Sequence, residues 1–482
     1  MSWFIIAVII YVFILVLVWL RIIYETRSTN KTLAYLLSSL FIPVIGVFFY
    51  LMFGINYWRK RRYGKKMAAD IEILEEVSEN SAPYKASTLI VKDEVVQQNA
   101  ELASMLLKDV GSPLTGNNSV QLLINGEEKF PEMLEAMRNA KHHIHLEYYI
   151  YECDSIGLQM IELLIKKAKE GVEVKFIYDD FGSPGIKRKT EKEMRAAGIA
   201  IYPFHKVRFY LLANRINYRN HRKIVVIDGC TGYVGGINVS DKYINGDDSK
   251  KLFWRDTHLR LDGPSVYYLQ YLFISDWNFC CKQKFEPLNS YFPEIAAGKH
   301  NSYVQIASSG PDSSEPSVLF SILQAIYLAK EEILITTPYF IPGDSILDAL
   351  RIAALSGLSV KLLVPGVCDS KIVNAASKSN YKDLLNAGVE IYLYNKGFVH
   401  AKTLVTDRKL FIVGTANMDY RSFDLNFEVN AIVYDAKLAQ EMSARFFKDL
   451  EDSDRIDKET WLNRKWYTQF PERICRLLSP VL

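Results

Sequence analysis

The sequence predicts an α/β protein in which two repeated α/β domains, each a mixed sheet flanked by helices, follow two transmembrane helices. Three observations predict it. Two long apolar runs open the chain, strand-like and helix-like stretches alternate from Gln121 onward, and short matches recur at an offset of 190 residues. With 482 residues and 49% hydrophobic side chains, sizeable cores are available. That excludes a disulfide-stapled module, a disordered tail and a fibrous repeat.

The anchor comes first. Trp3 to Leu20 is 18 residues without a charge, and Thr32 to Trp58 is 27 more. About 20 apolar residues cross the hydrocarbon core as a helix, so both runs qualify as spans. A cleavable signal peptide is disfavoured, because no basic segment precedes the first run and a second follows at once. Charge is divided along the chain. Residues 1–66 hold nine Lys/Arg and one acid, a net of +8 within an overall +3, and the rest is net −5. Six basic residues (Arg59 to Arg62, Lys65, Lys66) follow the second run, against Arg21, Arg27, Lys31 and Glu25 in the connecting loop. The positive-inside bias then predicts a multi-pass protein of the cell membrane, with its catalytic part in the cytoplasm and a short loop outside. Cys153, Cys230, Cys280, Cys281, Cys368 and Cys475 form no CxxC pair, as expected of a reduced compartment.

The repeat sets the rest. His143 to Tyr151 and Val172 to Tyr178 read as strands, with Ser155 to Glu170 helical between them. Ile333 to Ile341, Ser345 to Ser356 and Val360 to Val364 repeat that order. Asp154-Ser-Ile156 answers Asp344-Ser-Ile346, and Ala197-Gly-Ile199 answers Ala387-Gly-Val389. The expected organisation is an anchor at 1–62 (spans about 3–20 and 32–58) and a mostly polar connector at 63–115. A first domain follows at 116–297 and a second at 298–482, which ends in an amphipathic segment.

Each half carries one chemical motif. His221-x-Lys223 leads through Ile224 to Ile227 into Asp228, then Gly235 and Asn238. His400-x-Lys402 leads through Thr403 to Thr406 into Asp407, then Gly414 and Asn417. Five residue types at fixed spacing arise by chance in about 1 in 10⁴ chains of this size, and here they arise twice in register. On a strand, alternate residues share a face, so His221 aligns with Lys223 and His400 with Lys402. Asp228 and Asp407 open turns and read as support for the motif more than as reacting groups. Two His, two Lys and two Asn converging across a pseudo-twofold suit one tetrahedral phosphodiester. The Lys and Asn donors meet the non-bridging oxygens, one neutral His attacks, and the other protonates the leaving oxygen. The cations are built in, so the chemistry calls for no metal and no cofactor.

These residues resemble the HKD signatures of the phospholipase D superfamily. The longer strings resemble its bacterial cardiolipin synthases: Asn217 to Ile224, Phe253-Trp-Arg-Asp-Thr257, Gly414 to Glu428, and Arg476 to Pro480. The resemblance implies two phospholipase D-like domains sharing one active site, and a ping-pong transfer between two phosphatidylglycerol molecules. A phosphatidyl-histidine forms, glycerol leaves, and cardiolipin results. By analogy His221 is the nucleophile and His400 the acid and base, although the symmetry leaves the assignment open. Glu428 and Asp256 are the candidates to orient the imidazoles. Gly236 stands where many members carry Ser, so a hydroxyl contact there is in doubt in the first half.

Weaker features remain. Arg195 to Ile227 contains no acid and interleaves basic with aromatic residues, and Trp461 to Leu478 sets Arg464, Lys465, Arg473 and Arg476 beside Trp466, Phe470 and Leu477. Both suit an anionic membrane surface, and the net-negative remainder argues against nucleic acid. His142, His143 and His145 read as strand residues, His258 as packing, and Glu147 as a side chain that faces with His143. The alternatives are a hydrolytic phospholipase D, a superfamily nuclease, and a silent lipid-binding scaffold.

Overall fold

The computed structural model describes residues 3–26, 29–53, 56–80, 91–204, 206, 218–246, 252–281, 285, 289–295 and 302–479. Its N-terminal unit ends at Ala68 and its catalytic unit begins at Ala69.

In the N-terminal unit, α1 (Trp3–Glu25) is long and apolar enough to cross a membrane over Val8–Glu25. The second apolar run is not a span. It folds as two short helices, α2 (Thr29–Phe41) and α3 (Pro43–Phe53), that double back on each other at Ile42. At 1.5 Å per residue each reaches only about 16–20 Å, well short of a ~30 Å hydrocarbon core. Tyr35 and Tyr50 would lie more than 20 Å apart on one helix, yet their rings meet at 5.4 Å. Two residues explain the fold-back. Pro43 breaks the helix, and Gly46 passes so close to α2 that a Cβ would sit 2.2 Å from the Ser38 carbonyl oxygen. Composition measured apolarity correctly and direction not at all. Helix α4 (Asn56–Asn80) carries the chain onward.

The catalytic unit holds nineteen strands among the described residues. The first half contributes β1 (Thr115–Ile124), β2 (His143–Tyr148), β3 (Glu173–Asp179), β4 (Ala200–Phe204), β5 (Ile224–Ile227), β6 (Thr231–Gly235), β7 (Phe253–Arg255) and β8 (Thr257–Asp262). The second contributes β9 (Ser302–Ser309), β10 (Glu332–Thr336), β11 (Phe340–Ile341), β12 (Ser359–Pro365), β13 (Glu390–Tyr394), β14 (Gly397–Val399), β15 (Thr403–Thr406), β16 (Leu410–Gly414), β17 (Met418–Asp419), β18 (Glu428–Tyr434) and β19 (Ser453–Arg455). The spatial order β1-β8-β6-β5-β2-β3-β4 is matched by β9-β18-β16-β15-β10-β12-β13, and β1 pairs with β9 to make one mixed sheet. Within it β2, β3 and β4 are parallel and cross over through helices, whereas β5, β6 and β8 are antiparallel.

Each half has its own apolar core. Helix Ala100–Val110, read from sequence as polar connector, buries Leu102 and Leu106 in the core of the second half beside Ile322 and Ile326. Its polar neighbours hide a pair of leucines four residues apart, enough for one buried stripe. The middle of the acid-free stretch, 207–217, lies outside the described residues.

Candidate active site

The two motif hairpins are built alike. Asp228 (φ 51°) and Asp407 (φ 54°) begin tight turns of left-handed backbone between β5 and β6 and between β15 and β16. The Asp228 carboxylate accepts from the amides of Lys141, His142 and His143 at 2.8–3.0 Å. Asp407 accepts from Lys330, Glu331 and Glu332 at 2.8–2.9 Å. Each therefore ties its hairpin to the start of β2 or β10, at the strand end remote from the histidine. Neither Asp reaches the cleft, so although both belong to the motif they stand apart from the groups that can react.

At the other end of each hairpin the halves cross. The His221 amide donates to the Phe427 carbonyl (3.0 Å), and the Phe427 amide to that of Arg219 (2.9 Å). Symmetrically, β7 and β14 pair in parallel, and the His400 amide donates to the Arg255 carbonyl (2.7 Å). This pairing delivers each carboxylate to the other half's imidazole. His221 Nδ1 lies 3.0 Å from Glu428 Oε2, and His400 Nδ1 lies 2.6 Å from Asp256 Oδ2. With Nδ1–H donated to a carboxylate, Nε2 is left as the reactive nitrogen.

The two braces differ in construction. Glu428 is held by the Thr415 hydroxyl and by Asn426 Nδ2 (3.1 Å). Asp256 is one methylene shorter and accepts from the Thr257 amide (2.7 Å). It fits because Gly236 occupies the position equivalent to Thr415, where a Cβ would sit 2.1 Å from Asp256 Oδ1. The residue missing its hydroxyl in the first motif thus makes room for the carboxylate.

Both lysines are buried behind the histidines. Lys223 Nζ donates to the His221 carbonyl (2.8 Å), while Lys402 Nζ bonds the His400 carbonyl and lies 3.0 Å from its ring nitrogens. Burial pushes Lys223 down to about 7 and Lys402 down to about 8, against the pull of Glu428 and Asp256. Burial likewise holds His221 down to about 4 and His400 down to about 3, with Lys402 adding to the latter shift. Glu428 is buried too, but His221, Lys223 and the Thr415 hydroxyl bring its carboxyl below the ordinary range. At neutral pH the imidazoles are neutral and Glu428 is ionised.

His221 and His400 open on one cleft of about 340 Å³. Asn417 and Asn238 both line it, unequally. The Asn238 amide is engaged by the Ile150 amide (3.1 Å) and the Tyr243 hydroxyl (2.8 Å), whereas the side-chain oxygen of Asn417 has no hydrogen-bond partner among the described residues. Sequence reasoning missed further walls. Tyr149 packs on His221, with Arg219 and Arg421 nearby. On the other side Trp254 and Phe398 flank His400, Lys242 lies over Trp254, and the Tyr339 hydroxyl donates to Asp369 (2.5 Å). Arg219, Trp254 and Arg421 lie inside the diagnostic strings and were there to be found, whereas Tyr339 and Asp369 follow β10 and β12 without any local pattern.

The remaining candidates sit elsewhere. His143 and His145 are buried against Gln270, with His145 stacked on Phe273. His258 is buried, and its Nδ1 accepts from the Ile237 amide at 3.4 Å. Glu147 is buried against Asn220 and does not line the cleft.

Two outcomes follow from this geometry. Gly236→Ala drives a methyl into Asp256, and turnover of a phosphodiester probe is expected to fall about 10- to 100-fold, as it does when the group that orients a reacting side chain is displaced, while Thr415→Ser stays near the parent rate. Normal turnover by Gly236→Ala would contradict the close approach. With a p-nitrophenyl phosphodiester, whose leaving group needs no acid, kcat/KM should be flat from about pH 5 to 6, where the imidazoles are neutral and both lysines charged. It should then fall with apparent pKa values near 7–8 as Lys223 and Lys402 lose their protons. A profile level to pH 10 contradicts the lysine assignment.

Comparison with known proteins gives the site its context. A profile described as the phospholipase D-like domain of cardiolipin synthase matches residues 133–277 and 322–450, and a phospholipase D-nuclease N-terminal profile matches residues 5–54. The chain is 41% identical over 459 residues to the major cardiolipin synthase of Bacillus subtilis (strain 168), covering 95% of each chain. It is 40% identical over 474 residues to the cardiolipin synthase of Halalkalibacterium halodurans, covering 97% of this chain and 92% of that one. Phosphatidylserine synthase of Haemophilus influenzae Rd KW20 shares the fold at a TM-score of 0.58 and 13% identity, over 79% of this chain and 96% of that one. By these matches the chain belongs to the cardiolipin synthase family of phospholipase D-like proteins.

Proposed function

We propose that the protein is a membrane-anchored cardiolipin synthase that joins two phosphatidylglycerol molecules through a phosphatidyl-histidine. His221 Nε2 attacks the phosphorus of the donor. The N–P bond forms, the P–O bond to the head-group glycerol breaks, and His400 gives that oxygen its proton. The terminal hydroxyl of a second phosphatidylglycerol then attacks, losing its proton to His400 as the N–P bond breaks. One phosphodiester replaces another, so no nucleotide is needed. His400 is neutral in the empty site, and the negative charge of a bound phosphodiester favours its protonation.

The observation that carries the reading is a pair of cross-braced imidazoles on one cleft whose two sides differ. Arg219 and Arg421 lie toward His221, suited to the phosphodiester anion, while Tyr339 and Asp369 lie toward His400, suited to glycerol hydroxyls. Asn417 and the two lysines supply donors for the non-bridging oxygens, and Asn238 shapes the opposite wall. Asp228 and Asp407 act by holding the hairpins.

A p-nitrophenyl phosphodiester tests the assignment, because its leaving group needs no acid. His400→Ala should still form the covalent intermediate from it at close to the parent rate, and His221→Ala should form none, a loss of at least about 10³-fold. The reverse pattern assigns the roles the other way. Phosphatidic acid rather than cardiolipin from the unaltered protein would make it a hydrolase.

For the membrane we infer one crossing by α1 and a hairpin, α2–α3, that enters and leaves on one side. The support is electrostatic. This arrangement gathers Arg21, Arg27 and Lys31 on the same side as Arg59 to Lys66, as the positive-inside bias favours, and the catalytic unit is then cytoplasmic. Alkaline phosphatase fused before residue 1 should be active and fused after residue 66 silent. Two silent fusions would mean two crossings.

A further inference from the structure

The C-terminal helix, Trp466–Arg476, is amphipathic in the wrong sense for a soluble surface. Trp466, Phe470, Ile474 and Leu477 recur at intervals of four, four and three, so they share one face. They point outward: Trp466 is 74% exposed, Phe470 53%, Ile474 48% and Leu477 78%. The opposite face carries Glu472, buried and gripped by both Arg464 guanidinium nitrogens at 2.8 and 2.9 Å. An ordinary surface helix buries its apolar stripe, whereas this one exposes the stripe and buries an ion pair behind it.

We propose that this helix lies in the interface of an anionic bilayer and holds the mouth of the catalytic cleft against the lipid surface. Charge complementarity identifies the occupant. Arg473 and Arg476 border the apolar stripe and Lys465 precedes it, while Trp466 and Tyr467 are the side chains that settle at headgroup depth. Continuity with the cleft supplies the second argument. The helix packs on Lys371–Lys378, whose Val373 lines the cleft, and Arg476 interacts with Tyr420, next to the cleft-lining Arg421. A cleft of about 340 Å³ admits a phosphodiester and its glycerols, not the four acyl chains of two lipids, so those chains stay in the bilayer while the head groups react.

The inference rests on the reading that the substrates are bilayer lipids, and the test separates the two. Full-length Trp466→Ser/Phe470→Ser protein is assayed on phosphatidylglycerol vesicles and on dihexanoyl phosphatidylglycerol below its micelle concentration. Vesicle turnover should fall about 10-fold, in keeping with lost interfacial burial, and turnover of the monomeric lipid should stay within about twofold. Equal loss on both substrates would mean that the helix merely supports the fold, and equal retention that it does not touch lipid; either overturns the proposal. An activity-independent measurement compares wild type with Trp466→Phe in nanodiscs containing brominated acyl chains. Quenching of the Trp466 fluorescence is expected even if no lipid is turned over. Absence of quenching, or protection of the face by a second copy of the chain, also overturns the proposal.

Discussion

Each half of the catalytic unit carries the carboxylate that the other half's histidine needs. Asp256 of the first half holds His400 of the second, and Glu428 of the second holds His221 of the first. All four groups are buried, so removing one member of a pair from the intact unit leaves the other buried without its partner, a loss of several kcal/mol. The backbone exchange beneath, Arg219 and His221 with Phe427 and His400 with Arg255, fixes the register that makes the crossing possible. The continuous sheet through β1 and β9 serves the same end, by preventing the halves from sliding. The duplicated sequence thus gives one site rather than two.

The crossing concentrates cations. Lys223 and Lys402 are both depressed chiefly by burial, with Lys402 adding to the shift of Lys223, and each lies against its own histidine. Desolvation rather than repulsion dominates both shifts, and in the proposed reaction a bound phosphodiester anion would favour the charged form of each lysine. The pentacoordinate transition state carries more charge on its equatorial oxygens than the ground state. In the proposed reaction, donors held toward those oxygens would favour the transition state over the substrate, the differential binding that speeds a reaction. The depressed lysines report how much desolvation the fold tolerates to keep these donors in place.

What the sequence discloses depends on whether the signal is local. The His-x-Lys pairs were legible because alternate strand residues share a face, and Asp228 was legible as a turn residue from the Asp-Gly that follows the strand. Glu428 and Asp256 were recognisable as nearby carboxylates, but their exchange between halves depends on pairings that join residues more than a hundred positions apart. Tyr339 and Asp369 come from separate loops and meet only once β10 and β12 lie side by side. Leu102 and Leu106 hid in polar surroundings. At the N-terminus the apolar content of residues 32–58 suggested a span, whereas Pro43 and Gly46 determine that the run turns back, a matter of backbone geometry that hydropathy does not measure.

The departures from symmetry have a chemical logic. Ping-pong transfer through a perfectly symmetric site would let either imidazole attack, leaving the acceptor hydroxyl facing the wrong partner in half of the encounters. The braces and walls remove that degeneracy. Glu428 has Thr415 and Asn426 as outside donors, whereas Asp256 relies on the space left by Gly236 and on its neighbour's amide. Asn238 is committed to the loop at Ile150, whereas the Asn417 side-chain oxygen has no hydrogen-bond partner among the described residues. Arginines stand near His221, and a tyrosine–aspartate pair stands on the side of His400. Arginine charge thus lies toward one imidazole and hydrogen-bonding oxygens toward the other. In the proposed reaction this is the division required of a nucleophile that attacks once and an acid that must later serve as base, so the two motifs can stay alike while their surroundings assign the work.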